Sequence, residues 1–337
     1  MINLSDIGVY AFSSELDVLQ VSASAAITVT ISQGSDVVLM STYTPVNGVV
    51  TLYHLNKLLL PLISDVMSDF TITAGSVSKT VHVVRAGVLV SEGAATFLPS
   101  FFLSMAMGER DTASGRHECV SFIATEASAV DVVALCTYVS GTMVNTASKS
   151  VATGLASGAL HTVDVSADRF VDSTLGVLVS YVVVAGERKM RYRVRPAAAT
   201  EVAMMFRNAF GAWETFYLSG SRASEPEYRR ETANVNGAFT LYDLEETQQW
   251  VSHSGLLRPC GVALGHDLAR SKDVFLLEGS TAGAAIVITS VEVKTTGDWD
   301  ENAAFSFTWR RATRLTALLE AQRPPKLFDE TFDETYD

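Results

Sequence analysis

AITVTISQGSDVVLMSTYTPVNGVVTLYHL, residues 26–55, reads as three short strands joined by two turns. Ile27, Val29 and Ile31 alternate with hydroxyl side chains, the period of two that sends successive residues to opposite faces of a pleated strand. Pro45-Val46-Asn47-Gly48 signals a hairpin between the second and third runs, because Asn-Gly accepts the positive φ values of a tight turn. The same pattern continues on either side, in LDVLQVSA (16–23), DFTITAG (69–75) and KTVHVVRA (79–86). Residues 1–92 are therefore expected to form an N-terminal β-sandwich module. One helix should interrupt it, with Asn56 as cap, Pro61 in the first turn, and Leu58, Leu59, Leu62, Ile63 and Val66 as its apolar stripe.

Strand-like runs return in residues 93–198, namely FLPSFFLSM (97–105), HECVSFIA (117–124), VDVVALCTYV (130–139), LHTVDVSA (160–167), LGVLVSYVVVAG (175–186) and KMRYRVR (189–195). They predict a second β-sandwich or barrel module. Residues 141–158, rich in Ser, Thr, Ala and Gly, read as an exposed loop, and RPAAATE (195–201) as a linker. Over 199–312 the strands become aromatic, in EVAMMFRNAFGAWETFYLSG (201–220), GAFTLYDL (237–244), AAIVITSVEVKT (284–295) and ENAAFSFTWRRA (301–312). Asp243 and Glu246 stand at capping-box spacing and Gly255 offers a stop, so a short helix over 244–253 is expected. This third unit reads as a smaller α+β module, and 313–337 as an acidic arm. The expected fold class is mainly β: tandem β-sandwich-like modules followed by the α+β module.

Composition narrows the function. The 337 residues are 48% hydrophobic and 18% charged, enough apolar chain for substantial cores. Lys plus Arg number 25 against 37 Asp plus Glu, a net charge of −12, and that field repels nucleic-acid phosphates. Cys119, Cys136 and Cys260 are odd in number and widely spaced, which fits a reducing compartment better than a disulfide framework. MINLSDIGVYAF has no basic leader, and the longest apolar stretch, Leu175 to Gly186, is too short for a bilayer, so neither export nor membrane insertion is expected.

Catalytic signatures are missing. There is no Gly-x-Ser-x-Gly elbow, no Walker pattern and no three-glycine dinucleotide fingerprint. His54, His82, His117, His161, His253 and His266 include no pair spaced to share a metal, and His253, Cys260, His266 and Asp267 form only a loose cluster. Asp298, Asp300, Glu301 and Asn302 make an oxygen-rich knot that suits either a hairpin turn or calcium. Glu225, Glu227 and Glu231 could pair as glycosidase carboxylates, although a charged loop is the default. Trp213, Trp250, Trp299 and Trp309, with Phe206, Phe210 and Tyr217, are read as one buried aromatic face rather than a sugar-stacking platform. The expectation is a chain that is not an enzyme, with no catalytic residues, no cofactor and no metal.

Met205 to Phe216 carries an F-x-N-x-x-G-x-W-E core, in Phe206, Asn208, Gly211, Trp213 and Glu214, that resembles a stretch found in tail or baseplate proteins of bacteriophages and prophages. FSFTWRRA and the ending LFDETFDETYD resemble that group too, so the likeness covers the C-terminal third. It implies a distal-tail-like structural component of the virion tail, assembled in the bacterial host cytoplasm. Such a component forms a homo-oligomeric ring and docks to other tail proteins, with no nucleic acid and no membrane insertion. The rival reading is a carbohydrate- or receptor-binding adhesin, with a glycan receptor as partner. The terminal segment places Phe328, Phe332 and Tyr336 four residues apart among acids. That spacing gives one stripe on a helix or a strand, so these three are the expected assembly contacts.

Overall fold

The computed structural model describes residues 2–198, 201–295 and 303–313. The fold is mainly β. Its first part contains β1 (Ile2–Asn3), β2 (Tyr10–Phe12), β3 (Val18–Ser22), β4 (Ile27–Gln33), β5 (Asp36–Tyr43), β6 (Val49–Tyr53), α1 (Leu55–Leu59), β7 (Met67–Ala74) and β8 (Val77–Val84). A three-stranded sheet, β1-β3-β6, and a five-stranded sheet, β2-β8-β7-β4-β5, enclose one core built on Leu19, Ile31, Phe70 and Val81. The Asn47-Gly48 turn forms with φ of 52° and 79° and a Val46↔Val49 bridge, yet β5 and β6 do not pair. The turn instead carries the chain from one sheet to the other. The helix is shorter than its apolar stripe: α1 is capped by His54 in the left-handed conformation, and Pro61 falls in the 3-10 turn that follows.

Residues from 93 onward supply α2 (Gly93–Ser100), β9 (Glu109–Ala113), β10 (Cys119–Ile123), β11 (Val130–Ser140), β12 (Met143–Leu155), β13 (Leu160–Asp164), β14 (Val177–Ala185) and β15 (Arg188–Arg195). The five-stranded sheet β12-β11-β14-β15-β9 and the pair β10-β13 share a core with Phe122, Tyr138, Tyr181 and Tyr192. Two expectations fail here. FLPSFFLSM begins as the end of α2, because Ala94, Phe97 and Leu98 bury one helical face. The expected loop at 141–158 is mostly β12, in antiparallel register with β11 from Val130↔Leu155 to Ser140↔Met143. Its small hydroxyl side chains read as loop, but Ala147, Val151 and Leu155 pack on the core and the edge position tolerates the polar remainder.

The third part holds β16 (Val202–Arg207), β17 (Trp213–Leu218), β18 (Arg222–Ser224), β19 (Glu227–Val235), β20 (Ala238–Thr247), β21 (Trp250–Leu257), α3 (Pro259–Arg270), β22 (Val274–Glu278), β23 (Thr281–Thr295) and β24 (Ala303–Arg311). A seven-stranded sheet, β17-β16-β22-β23-β24-β21-β18, packs against Leu264 and Leu268 of α3. The helix expected over 244–253 is replaced by the end of β20 and the start of β21. Asn236-Gly237 adopts φ of 54° and 82°, and this tight turn zips β19 onto β20 from Val235↔Ala238 to Glu227↔Thr247. Cross-strand pairing there overrides the local capping signal.

Candidate functional site

Phe206, Asn208, Gly211, Trp213 and Glu214 lie where the three parts of the fold meet. β16 ends at Arg207, and Asn208 turns the chain into β17. Its Oδ1 accepts the Phe210 and Ala212 N–H groups, both at 3.0 Å. Its Nδ2 donates to the Leu103 carbonyl at 2.7 Å and to Glu214 Oε2 at 3.0 Å, so the amide is saturated. Glu214, 3% exposed, also accepts from the Ser104 hydroxyl at 2.5 Å and from Arg110 Nη1 at 2.9 Å through Oε1. Arg110 Nη2 donates to the Thr215 carbonyl at 2.9 Å and stands 3.1 Å from Glu118 Oε2.

The result is a buried ionic knot tying β9 and the residue just before β10 to β17. Burial works against the Arg110 charge, but Glu118, Tyr192 and Glu214 outweigh it and the guanidinium binds its proton more tightly than usual. Burial raises the Glu118 carboxyl despite Arg110, and pushes the Cys119 thiol up to about 12. A thiol so far from ionising is no nucleophile at neutral pH.

Phe210 extends the junction on the apolar side. Its ring lies 5.8 Å from Phe12 and 5.3 Å from Phe97, so all three parts contribute to one buried cluster with Val84, Leu103 and Ile123. Gly211, at φ +80°, has no room for a Cβ against the Asp65 carbonyl and Arg85. Nearby, Gly87 N–H donates to the Ala209 carbonyl at 2.8 Å and Arg207 Nη2 meets Asp65 Oδ1 at 2.7 Å.

Two cavities flank the knot. One, of about 310 Å³, holds Arg116, Arg195 and Arg258 at its walls, each paired with Glu201, Asp111 or Glu109. The other, of about 360 Å³, lies against Asp65, Arg85, Arg207 and Asp267. Burial, and then the Glu214 charge, move the Asp267 carboxyl from its ordinary 3.8 to about 7.

The sequence candidates separate in space. His253 is exposed on β21, Cys260 lines the first cavity, Asp267 the second, and His266 stands edge-on to Phe305 at 5.0 Å. Among the described residues no group of three or more His, Cys, Asp or Glu is placed to hold a metal. Glu227 and Glu231 sit on the β19–β20 ribbon, and Glu225 is exposed just before it. Of the aromatics, Phe206, Phe210 and Trp309 are core. Trp309 stacks on Trp250 at 4.7 Å, and its indole N–H donates to Ser252 Oγ at 3.1 Å. Trp213 is only half-buried, with Arg207 over its face at 4.3 Å and Phe275 at its edge. Asp298, Trp299, Asp300, Glu301, Asn302, Phe328, Phe332 and Tyr336 lie outside the described residues.

Sequence reasoning missed Ser104, Arg110 and Glu118, whose role depends on approach to a strand about a hundred residues away. It also missed α3, although Arg258-Pro259 followed by Leu264 and Leu268 is a legible helix start and stripe. No protein-family model matches the chain, and no match to a curated protein is found.

Proposed function

We propose that this chain is a non-enzymatic structural component of a bacteriophage tail, at the tail tip or baseplate, that works by self-assembly and by docking to other tail proteins. The observation that carries the reading is the β19–β20 ribbon. An isolated two-stranded hairpin is marginal in water, and this one presents Tyr228, Leu241 and Phe239, the last 80% exposed. A chain that spends its motif on locking three β units together, while holding outside them a charged ribbon with exposed Tyr228, Phe239 and Leu241, is built to be gripped by other copies or partners. The resemblance around Met205–Phe216 supplies the tail context.

The test joins light scattering to electron micrographs of the purified chain, with mass spectrometry of tail particles from the induced source strain. Ring-like oligomers and presence in the particles are expected. A chain that stays monomeric, is absent from particles and binds sugars on a glycan array is instead an adhesin.

A further inference from the structure

The outward face of the β12-β11-β14-β15-β9 sheet is not what a solvated sheet face normally shows. An antiparallel sheet with one face on a core alternates, and its other face is polar. Here the cross-strand rows read Ser150, Val133, Val184, Lys189; then Ser148, Leu135, Val182, Arg191; then Thr146, Thr137, Ser180, Arg193. A fourth row, Val144, Val139 and Val177, closes one end. A stripe of Val and Leu two strands wide, interrupted at Thr137 and Ser180, therefore runs between hydroxyls on β12 and a basic row on β15. It is partly open: Leu135 is 48% and Val177 71% exposed, while Val133, Val139, Val182 and Val184 are half-buried.

The basic row stands out on a chain of net charge −12. Arg193 and Arg195 are met by Glu109 and Asp111 on β9. No side-chain hydrogen bond or ion pair forms at Lys189 or Arg191 among the described residues. An occupant that suits this cross-section has large apolar side chains for the stripe and carboxylates for the basic edge.

The sequence contains such a segment. LFDETFDETYD, residues 327–337, puts two acids behind each of Phe328 and Phe332 and one behind Tyr336. We propose that this segment of one copy docks on the outward face of the five-stranded sheet of a second copy, aromatics on the Val/Leu stripe and acids against Lys189 and Arg191. The inference rests on the self-assembly reading above. Topology favours a second copy: β24 begins at Ala303, paired with Leu257 beside Arg258, which reaches Glu109 of the sheet. It ends at Arg311, paired with Ile286, so the described end of the strand lies about a strand length from that contact with the sheet. The 24 residues after Thr313 extend up to about 80 Å, ample to bridge between copies.

Charge exchange tests this in the full-length chain. One variant carries Lys189→Glu and Arg191→Glu, a second carries Asp329→Lys, Glu330→Lys, Asp333→Lys and Glu334→Lys, and a third combines them. Lys189 and Arg191 are exposed, the other altered positions lie outside the described residues, and circular dichroism checks that each variant folds. Sedimentation should show at least tenfold weaker self-association in each single set and recovery in the combination. Phe328→Ser with Phe332→Ser and Tyr336→Ser should weaken it without recovery. If the wild-type chain associates and none of these changes alters it, the docking site is wrong while self-assembly stands. If the wild-type chain is monomeric throughout, the self-assembly reading fails first and this proposal with it. A monomer whose terminal segment cross-links to its own sheet also overturns docking between copies.

Discussion

Glu214 shows how one side chain can serve a fold rather than a reaction. Its two oxygens accept hydrogen bonds from Ser104, Arg110 and Asn208, so a buried charge is fully met, which is the condition for a buried ion pair to be tolerated. Asp267 is the contrast. Its carboxyl is 2% exposed and accepts the Ala209 N–H at 3.2 Å, with Arg270 on its own helix and Arg207, Arg85, Asp65, Lys272 and Asp273 around the same cavity. Burial first, and the Glu214 charge second, raise it to about 7 from 3.8. The sign follows: below about pH 4 the carboxyl is protonated in both the folded and unfolded chain. Between about 4 and 7 the unfolded chain gives up that proton while the folded chain keeps it, so stability falls as pH rises through this window. Asp267→Asn should remove this part of the slope. Urea midpoints at pH 5 and pH 8 measure it, with the wild type losing more on going to pH 8 than the variant. Equal losses would mean that Asp267 does not titrate in this range.

At the level of elements, β19 and β20 are held mainly by their own ladder and by the Asn236-Gly237 turn, whereas β23 and β24 are interior to a seven-stranded sheet. In dilute protein, amides of 227–247 should exchange faster than those of 284–293 and 304–311, because local opening of the ribbon breaks no core packing. Hydrogen exchange with mass spectrometry reads this directly, and equal protection would show that the ribbon is packed in solution. The Asn47-Gly48 turn also shows what was legible, while the like turn at Asn236-Gly237 went unread. The first forms with positive φ, and the strands near 26–53 and 202–218 follow their alternation closely. Partner choice was not legible, because β5 and β6 flank such a turn yet join different sheets. Nor was β12, whose Thr, Ser and Ala composition is that of a loop until pairing with β11 fixes it. The ionic knot was half visible: Asn208, Gly211 and Glu214 stood in the motif, but Ser104, Arg110 and Glu118 reach it only through tertiary folding.

For the whole molecule, the question is whether the three parts move as one. Three separate cores are joined by a fourth cluster in which Phe12, Phe97 and Phe210 meet, and the polar knot lies beside it. The contact with the first part depends on a close approach of backbone to backbone at Gly211. Its φ of +80° disfavours any residue with a Cβ, and a Cβ there would collide with the Asp65 carbonyl, which cannot swing away as a side-chain tip can. Gly211→Ala should therefore cost more than the ~1 kcal/mol of the backbone conformation alone, because Asp65 and Arg85 must also retreat. Their retreat loosens the Arg207–Asp65 pair and the Gly87–Ala209 hydrogen bond, the ties between the first part and the third. The separate cores survive the change. The expected signature is loss of coincidence, with thermal unfolding splitting into two transitions and small-angle scattering showing a longer particle. Should Gly211→Ala melt in one transition at the wild-type temperature with unchanged scattering, the junction does not couple the parts, and the apolar cluster alone carries the connection.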